Sequence, residues 1–334
     1  MVDTNINKSK LYDLAKCIAT VLVVIAHATR MYTPDGAIKV VNQSVFLANV
    51  TEYIYAFHMP LFFMLSGCVY GYCIEHGKYK DDMAFAVNKG KKLLIPYFFW
   101  GIFYVAPIVC ALGIAQGGYI KYVISGIFLS WNSRHLWYVL ALFLIFLLVM
   151  PLRRLLLKEK WLVVCFISLL LLLVSNKLPI VFQIQAACRY QVFFFMGIIL
   201  NRFYHRFNWF CTKCGLIVFI LPFALLIMFL CDTNIVLEYA YILIGCSMIM
   251  ILSWGLLKWF PSVFESPAYQ AFKRNAFGIY LFHPMIIYVL FYICGGYDLN
   301  PIFLSVMVSI CAIALSFLAT NVLRKLHLQL LIGE

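Results

Sequence analysis

The chain has 334 residues, of which 65% are hydrophobic and 12% are charged. Soluble proteins are roughly 45–50% apolar and about 25% charged, so a soluble fold of this size could not bury so much apolar surface. A bilayer accommodates roughly 20 apolar residues per helix, which leaves room for about ten spans. The net charge of +13 would suggest nucleic acid in a soluble protein, but here the basic residues lie in short loops and indicate membrane topology. We therefore expect no nucleic-acid partner.

Ten apolar runs, taken in chain order, predict an all-α, polytopic integral membrane protein with about ten transmembrane helices. We expect a single membrane-embedded domain over residues 1–334 and no soluble domain. The segment 117–133 is only mildly apolar and contains three glycines and Lys121, which favours a re-entrant or interfacial segment, although the pattern also allows a further span. The runs fall at 11–31, 46–73, 93–115, 135–151, 161–175, 180–200, 214–231, 235–257, 275–294 and 301–323.

The distribution of lysine and arginine predicts the orientation of these spans. With a cytoplasmic N-terminus, 20 of the 26 basic residues fall in inner segments and 6 fall in outer segments or spans. Basic loops resist translocation across the membrane. The split therefore predicts ten spans, both termini in the cytoplasm, and a multi-pass protein of the plasma or inner membrane. No cleavable signal peptide is recognisable before the first run.

The twelve cysteines do not indicate a disulfide framework or a metal site. Most of them lie inside apolar runs, where cysteine behaves as a small hydrophobic residue. The single close pair, Cys211 and Cys214, lacks the second pair or the spaced histidines that zinc sites use. We therefore expect no metal ligands and no permanently bound cofactor.

The first apolar run carries ionisable residues, which a bilayer disfavours unless they face a cavity or a partner. Asp13 and Lys16 are three positions apart, a spacing that allows an ion pair on one helix face. Lys16 and His27 are eleven apart, so they share a stripe to within roughly 20° and lie about 16 Å apart along the axis. Arg30 shares the face of His27. The alternatives are a snorkelling anchor for Lys16 and an interhelical hydrogen bond for His27.

Other ionisable residues lie within or beside later runs. Burying Arg189 inside a span without a role would be costly, although a structural pair with an acidic residue such as Glu52 also explains it. Arg134 and His135 stand at a span boundary, where an interfacial anchor is the alternative. Glu52 could orient His27, as a carboxylate orients the histidine of a catalytic triad, or it could be a solvated carboxylate at the rim.

Two further histidines and a pair of lysines complete the candidate set. Pro60 can kink the second helix just after His58 and free carbonyl groups for a cavity, so His58 either lines that cavity or caps the kink. His283 lies near the middle of its span, where cavity lining and helix packing are both open. Lys91 and Lys92, together with Lys89 and Lys16, offer positive charge for a phosphorylated ligand, while the general inner excess of basic residues explains them equally well.

Six short blocks occur in a fixed order along the chain. The first is the spacing of Asp13, Lys16 and His27, and the others are FHMPLFFMLSG at 57–67, KKLLIPY at 91–97, HLWY at 135–138, FFFMG at 193–197 and GIYLFHP at 278–284. Together they resemble the membrane acyltransferase 3 family over about residues 11–323. In that family the basic residue of the first block is more often arginine, and the histidine is thought to be catalytic. The resemblance is closest to the branch that acts on sugars of surface polysaccharides.

The resemblance implies transfer of an acyl group, usually acetyl, from cytoplasmic acyl-CoA to a hydroxyl of a cell-surface or lipid-linked carbohydrate. The expected partners are then acyl-CoA, the carbohydrate acceptor, the lipid bilayer and polysaccharide-assembly proteins. A sugar hydroxyl must lose its proton to attack, and an imidazole with an ordinary pKa near about 6.5 can remove it, so His27 is the expected catalyst. The remaining assignments are catalytic roles for Arg134, Arg189 and Glu52, donor binding by Lys16, Lys91 and Lys92, and cavity lining by Arg30, His58, His135 and His283.

Two other classes of membrane protein remain open at the level of sequence. A transporter or flippase of a polysaccharide precursor would fit ten spans equally well, and inverted repeats would favour it, but no repeat is recognisable. A sensory or interaction domain is the third class. The acyltransferase hypothesis requires that a thioester from the cell interior and an alcohol from the opposite side both reach His27.

Overall fold

The computed structural model describes residues 7–79, 81–213 and 235–334, and in this part of the chain all regular structure is helical. Short 3₁₀ turns precede α6 and follow α11, and two π-helical segments, Gly101–Val105 and Val123–Phe128, continue α3 and α5. Residues 204–213 are also helical. The remaining helices are α1 Lys8–Thr29, α2 Val45–Glu75, α3 Asp82–Trp100, α4 Ala106–Ala111, α5 Gly118–Tyr122, α6 Trp137–Leu157, α7 Trp161–Ser175, α8 Ile184–Arg202, α9 Ile235–Trp259, α10 Pro267–Cys294 and α11 Pro301–Lys325.

Polar side chains at the residue before the helix determine where five of the long helices begin. Asn7, Ser44, Asp81, Ser266 and Asn300 each accept a hydrogen bond from a main-chain N–H in the first turn of the helix that follows. The first turn of a helix has N–H groups without partners inside the helix, so such a cap compensates for them. All five caps lie before the start of an apolar run, so α1, α3 and α10 begin several residues ahead of the runs that they contain.

Seven of the described helical segments are long and apolar enough to cross a membrane. They correspond to seven of the predicted runs. The runs 161–175 and 180–200 form helices of 15 and 19 residues, α7 and α8, which are not among the seven. The run 214–231 lies outside the described residues. The chain is therefore an all-α, polytopic membrane protein, while the number ten stays a prediction.

Ion pairs at one end of the bundle join the start of α1 to two other helices. Lys8 lies 2.9 Å from Glu75 at the end of α2, and Asp13 lies 3.4 Å from Lys273 near the start of α10. Asp13 thus pairs with a distant lysine, although its spacing from Lys16 allows a pair within α1. We call this end of the bundle the basic end. It holds residues that the charge distribution predicts to be cytoplasmic, and that membrane side stays a prediction.

The opposite end of the bundle brings together the end of α1, the approach to α2, and the link between α10 and α11. The hydroxyl of Tyr32 donates to the carbonyl of Pro301 at 3.1 Å, and the amide of Asn42 donates to Asp298 at 2.8 Å. Since α1 and α10 start at the basic end while α2 and α11 start here, the four helices alternate in direction. That alternation is the geometry expected of successive membrane spans.

The segment 118–128 is too short to span a bilayer. Its 11 residues rise by about 16 Å at the α-helical rate, roughly half of the ~30 Å hydrocarbon core. It is anchored from inside the fold, because the hydroxyl of Tyr97 donates to the carbonyl of Ile127 at 2.7 Å and that of Tyr122 to the carbonyl of Asn132 at 2.9 Å. Of the two alternatives that the sequence left open, the structure favours the re-entrant or interfacial one.

Helices α2 and α8 approach each other closely because both carry glycine at the contact. A Cβ atom on Gly67 would overlap the main chain of Phe194, and one on Gly197 would overlap the main chain of Met64. Small residues allow helix backbones to approach in membranes, where packing rather than water exclusion drives association. This close approach holds α2, which carries His58, against α8.

Candidate active site

Four histidines from four separate helical elements lie together inside the bundle. They are His27 of α1, His58 of α2, His135 of the 3₁₀ turn before α6, and His283 of α10, and we call them the histidine cluster. All four are buried. The ring centroids of His27 and His283 are 5.1 Å apart, and those of His135 and His283 are 6.1 Å apart. The Tyr55 ring connects His58, at 4.7 Å, with His27, at 6.0 Å.

His27 lies in the last turn of α1 and is 9% exposed. Its Nδ1 atom is 3.4 Å from the hydroxyl of Tyr55, a long hydrogen bond. Arg30 donates to the same hydroxyl at 3.3 Å, and its guanidinium lies 5.3 Å from the centre of the Tyr55 ring. Arg30, Tyr55 and His27 therefore form a chain of contacts, and the predicted placement of Arg30 on the face of His27 is consistent with it.

Main-chain carbonyl groups hold the other three histidines in place. Nδ1 of His58 and Nδ1 of His283 each contact the carbonyl of the residue four positions earlier, at 3.0 Å and 2.8 Å. Nε2 of His135 contacts the carbonyl of Leu281, at 3.0 Å. A carbonyl oxygen can only accept, so each of these ring nitrogens carries a hydrogen. The bond at Leu281 also ties the turn before α6 to α10, which explains how distant segments meet here.

Tyr55 occupies the position beside His27 that sequence reasoning gave to Glu52. Glu52 is exposed on α2, three residues before Tyr55. The phenol of Tyr55, rather than a carboxylate, contacts the Nδ1 atom of His27. Tyr55 was missed because a neutral aromatic residue in an aromatic-rich run does not stand out as an ionisable group does. Its one signal was its position three residues before His58, which places both on neighbouring parts of one helix face.

Arg134 and Arg189, the two arginines expected to be catalytic, lie in different surroundings. Arg134 begins the turn that carries His135, has a φ of 52°, and has a buried Nε atom without a hydrogen-bond partner in the described structure. Arg189 lies on α8, with its guanidinium 6.0 Å from the centre of the Tyr190 ring. The contacts that define the histidine cluster do not include Arg189. Arg134 is thus the arginine adjacent to the cluster through its chain neighbour.

Three aromatic rings form a layer on one side of the histidine cluster. We call Phe62, Tyr138 and Tyr280 the aromatic layer, and the distances between their ring centroids are 5.6–6.3 Å. The Tyr280 ring is 5.8 Å from that of His135 and 6.2 Å from that of His283. The other side of the same three residues lines a cavity. The layer therefore separates this cavity from the histidines.

The cavity has a volume of about 300 Å³ and opens towards the basic end of the bundle. We call it the basic cavity, because in the described part of the chain four cationic side chains and one acidic side chain line it. Tyrosine, phenylalanine and leucine side chains make up much of the remaining wall. The cationic residues are Lys16, Lys89, Lys92 and Arg274, and the acidic residue is Glu334.

Two of the three predicted donor-binding lysines line this cavity, and the third does not. Lys16 and Lys92 are in its wall, whereas Lys91 is exposed on α3 and Lys89 lies in the wall instead. Residues 89 and 92 are three apart and share a helix face, while residue 91 is about 200° away from residue 89. Arg274 was missed, because only the packing of α10 against α1 brings it to the cavity.

The basic cavity does not reach His27. Thr20 lies in the cavity wall, and His27 follows it seven residues later on α1, a rise of about 10 Å. Within the aromatic layer, Tyr280 contacts both the cavity and the rings of His135 and His283. His27 is nevertheless surrounded by polar groups, namely Tyr55, Arg30 and the other histidines, rather than by purely apolar neighbours.

Among the described residues no group of three or more histidine, cysteine, aspartate or glutamate side chains is arranged to hold a metal ion. Cys211 is buried, and Cys214, the other member of the close pair, lies outside the described residues.

The structure described so far is that of a polytopic helical membrane protein with four buried histidines near a basic cavity. The chain matches the model of a family described as "Acyltransferase domain", acyltransferase 3, over residues 10–321. It belongs to this family of membrane acyltransferases. A search of curated proteins and a search of solved structures each gave no match.

Proposed function

We propose that the chain is an integral membrane O-acyltransferase that moves an acyl group, in the first instance acetyl, from cytoplasmic acyl-CoA to a hydroxyl of a cell-surface or lipid-linked carbohydrate. Membership of the family supports acyl transfer. The observation that carries the proposal is the arrangement along α1, where Lys16 lines the basic cavity and His27 belongs to the histidine cluster. One helix thus connects a site suited to a phosphorylated donor with a site suited to proton transfer.

The basic cavity is the proposed donor site. The phosphates of coenzyme A need cationic partners, and Lys92 and Arg274 supply them from α3 and α10. Lys89 is held among the rings of Tyr79, Phe85 and Phe146, with its Nζ atom 4.4 Å from the centre of the last. The largely apolar wall beyond these charges suits the pantetheine arm and the acyl group.

The proposed chemistry uses His27 as the base. Its imidazole removes the proton from the acceptor hydroxyl, the oxygen attacks the thioester carbonyl, and the tetrahedral oxyanion collapses with release of the CoA thiolate. The imidazolium then returns the proton to the thiolate. In a two-step alternative His27 itself carries the acyl group before the hydroxyl attacks. Both routes place the same residue beside the thioester.

Charge on the oxyanion requires a fixed donor, and Arg134 is our candidate for it. Its Nε–H is buried without a partner next to His135, and a donor that waits unpaired suits a charge that develops only during reaction. Arg30 supports His27 through Tyr55. We assign Arg189 and Glu52 no direct part in this step, because the guanidinium of Arg189 lies over the Tyr190 ring and Glu52 is exposed.

The thioester has to pass the aromatic layer to reach His27. We propose that the rings of Phe62, Tyr138 and Tyr280 move apart when the donor binds. Rotation of these three side chains would open the shortest route from the cavity to His27. Tyr138 is held by Ser66, whose hydroxyl oxygen is 3.1 Å from the phenol oxygen. In the absence of donor the closed layer would keep water and the reactive centre apart.

The direct test is acetyl transfer by cells that carry His27→Ala, with His205→Ala as the matched control because His205 is exposed and lies outside the cluster. Loss of a general base lowers rates by about 10²–10⁴-fold, so we expect His27→Ala to abolish detectable acetylation of surface glycan by mass spectrometry. The control should match the wild type. Full acetylation by His27→Ala at equal abundance would contradict the role of His27, and retained glycan export without any acyl product would favour a flippase.

A further inference from the structure

Two ring nitrogens of the histidine cluster have no hydrogen-bond partner within the described residues. They are Nδ1 of His135 and Nε2 of His283. Their residues are 6% and 0% exposed, so water does not reach these atoms from the surface. Buried polar atoms are nearly always hydrogen-bonded in folded proteins, and two neighbouring exceptions therefore call for a ligand that satisfies both.

The hydrogen bonds made by the opposite nitrogens define what these two atoms can accept. Nε2 of His135 and Nδ1 of His283 face main-chain carbonyl groups and must carry the ring hydrogen. In a neutral imidazole the second nitrogen then has a free lone pair. Both unpartnered atoms are consequently acceptors, and they need a donor O–H or N–H from outside the protein.

The hydroxyl groups near these atoms are already engaged elsewhere. Tyr280 donates its hydroxyl hydrogen to the carbonyl of His135, and the hydroxyl of Tyr55 lies between Arg30 and His27. The two acceptors belong to rings 6.1 Å apart, and the ring of His283 is 5.1 Å from that of His27. A ligand that satisfies them would therefore lie directly beside the proposed catalytic base.

We propose that His135 Nδ1 and His283 Nε2 form a subsite that binds adjacent hydroxyl groups of a neutral polyol next to His27. This inference rests on the proposed acyltransferase function and specifies how its acceptor is held. Lone pairs repel carboxylate and phosphate oxygens, and a thioester carbonyl has no hydrogen to donate. A sugar with neighbouring hydroxyls supplies two donors at once. For the transfer step, one of these hydroxyls turns its hydrogen from the subsite to His27, whose ring is 5.1 Å from that of His283, and His27 then removes that proton.

Asparagine and glutamine can each replace one of the two ring nitrogens of a histidine. One of the two substitutions removes the unpartnered acceptor and keeps the hydrogen bond to the main-chain carbonyl, and the other keeps the acceptor and loses that hydrogen bond. In His283→Asn the amide nitrogen takes the place of Nδ1 and the acceptor is lost, whereas in His283→Gln an amide oxygen takes the place of Nε2. At position 135 the pairing is inverted, so His135→Gln loses the acceptor and His135→Asn retains it. A merely structural role predicts no such inversion between two positions.

The probes are cis-1,2-cyclohexanediol and cyclohexanol, offered with acetyl-CoA to the purified full-length protein. We expect the wild type to acetylate the diol with kcat/KM roughly tenfold or more above the mono-ol, since sites built around a substrate hydroxyl reject analogues without it. The ratio of kcat/KM for the diol to kcat/KM for the mono-ol should fall towards one in His283→Asn and His135→Gln. The same ratio should stay high in His283→Gln and His135→Asn. The KM for acetyl-CoA should stay unchanged in all four variants.

Equal diol preference in all four variants would overturn the subsite. An altered KM for acetyl-CoA with an unaltered diol preference would also overturn it, because the amide N–H groups of pantetheine would then be the donors to the two histidines. If no alcohol is acetylated, the proposed function fails, but the subsite is still measured by saturation-transfer NMR with the same two probes. Stronger transfer to the diol than to cyclohexanol, lost only in His283→Asn and His135→Gln, supports it. Equal transfer to both probes contradicts it.

Discussion

The contact between Tyr55 and His27 is the smallest unit on which the account depends. The hydroxyl of Tyr55 lies 3.4 Å from Nδ1 of His27 and 3.3 Å from the guanidinium of Arg30. We predict that Tyr55→Phe lowers kcat about tenfold and leaves the KM for acetyl-CoA unchanged, because the imidazole loses its positioning partner while the basic cavity stays intact. Steady-state kinetics measure both constants, with Tyr292→Phe on the exposed face of α10 as control. An unchanged kcat would show that Tyr55 does not position His27.

Neighbouring lysines of α3 offer a second test at the residue scale. Lys92 lines the basic cavity, and Lys91 is exposed outside it. We expect Lys92→Gln and Arg274→Gln to raise the KM for acetyl-CoA about three- to tenfold at low salt, and Lys91→Gln to have a smaller effect. Exposed charges are screened by salt, so the differences should narrow at high ionic strength. A larger effect of Lys91→Gln would place the donor phosphates elsewhere.

Comparison of these residues shows what local sequence could predict. Lys16, Lys92 and all four histidines of the cluster were singled out, because ionisable residues within apolar runs are conspicuous. Which of two consecutive lysines faces the cavity depends on the rotation of α3 against its neighbours, so the exclusion of Lys91 could not be read from spacing. Lys89 was singled out only as one of several inner lysines. The missed residues Tyr55 and Arg274 acquire their places from tertiary packing, which no local pattern indicates.

At the scale of whole helices, the contact between α2 and α8 should limit the stability of the bundle. A Cβ atom on Gly197 would overlap the main chain of Met64, whereas one on Gly90 would make only ordinary contact with Phe143. We predict that Gly197→Ala lowers the thermal midpoint of the detergent-purified protein by several degrees. Gly90→Ala should leave it unchanged or raise it, because alanine favours a helix interior by up to about 1 kcal/mol over glycine. Equal midpoints in the two variants would contradict the close approach of α2 and α8.

The segment that follows α11 is held to that helix by an ion pair whose strength depends on pH. Arg324 binds both carboxylate oxygens of Glu334, at 3.0 Å and 2.5 Å. This contact holds the pKa of Glu334 below its ordinary value of 4.5. A depressed pKa means that the pair stabilises the fold above the ordinary value, and that its contribution disappears as the pH falls through the lower, folded value.

We therefore expect Glu334→Gln to lower the thermal midpoint at neutral pH, and the difference from the wild type to shrink as the pH drops below about 4.5. Thermal unfolding in detergent at a series of pH values measures it. Equal midpoints of the two proteins at neutral pH would show that the ion pair contributes nothing. A difference in thermal midpoint that grows as the pH falls would contradict a depressed pKa of Glu334 in the folded protein.

The order of the long helices followed directly from the apolar runs, while the membrane orientation that the loop charges indicate stays a prediction. The 118–128 segment was undecided in the sequence because its mild apolarity fits either alternative, and its length within the fold decides between them. The aromatic layer could not be predicted at all, since Phe62, Tyr138 and Tyr280 come from three helices in which aromatic residues are common. That these three aromatic residues form one layer becomes visible only when the packing of their helices is known.

At the scale of the whole molecule, two sites lie in series along α1. The proposed donor site at the basic end and the proposed base, His27, are separated by about 10 Å along the helix and by one layer of rings. This arrangement explains how a charged, water-soluble donor and a carbohydrate could react without an open pore through the membrane. It also makes the movement of the aromatic layer a required step rather than an accessory one.

A structure of the protein with a non-hydrolysable thioether analogue of acetyl-CoA tests this central claim most directly. We predict that the phosphates contact Lys92 and Arg274, that Phe62, Tyr138 and Tyr280 are displaced, and that the acyl carbonyl lies beside His27. An analogue seated with its acyl group still on the cavity side of a closed aromatic layer, or bound away from the basic cavity, would contradict the account.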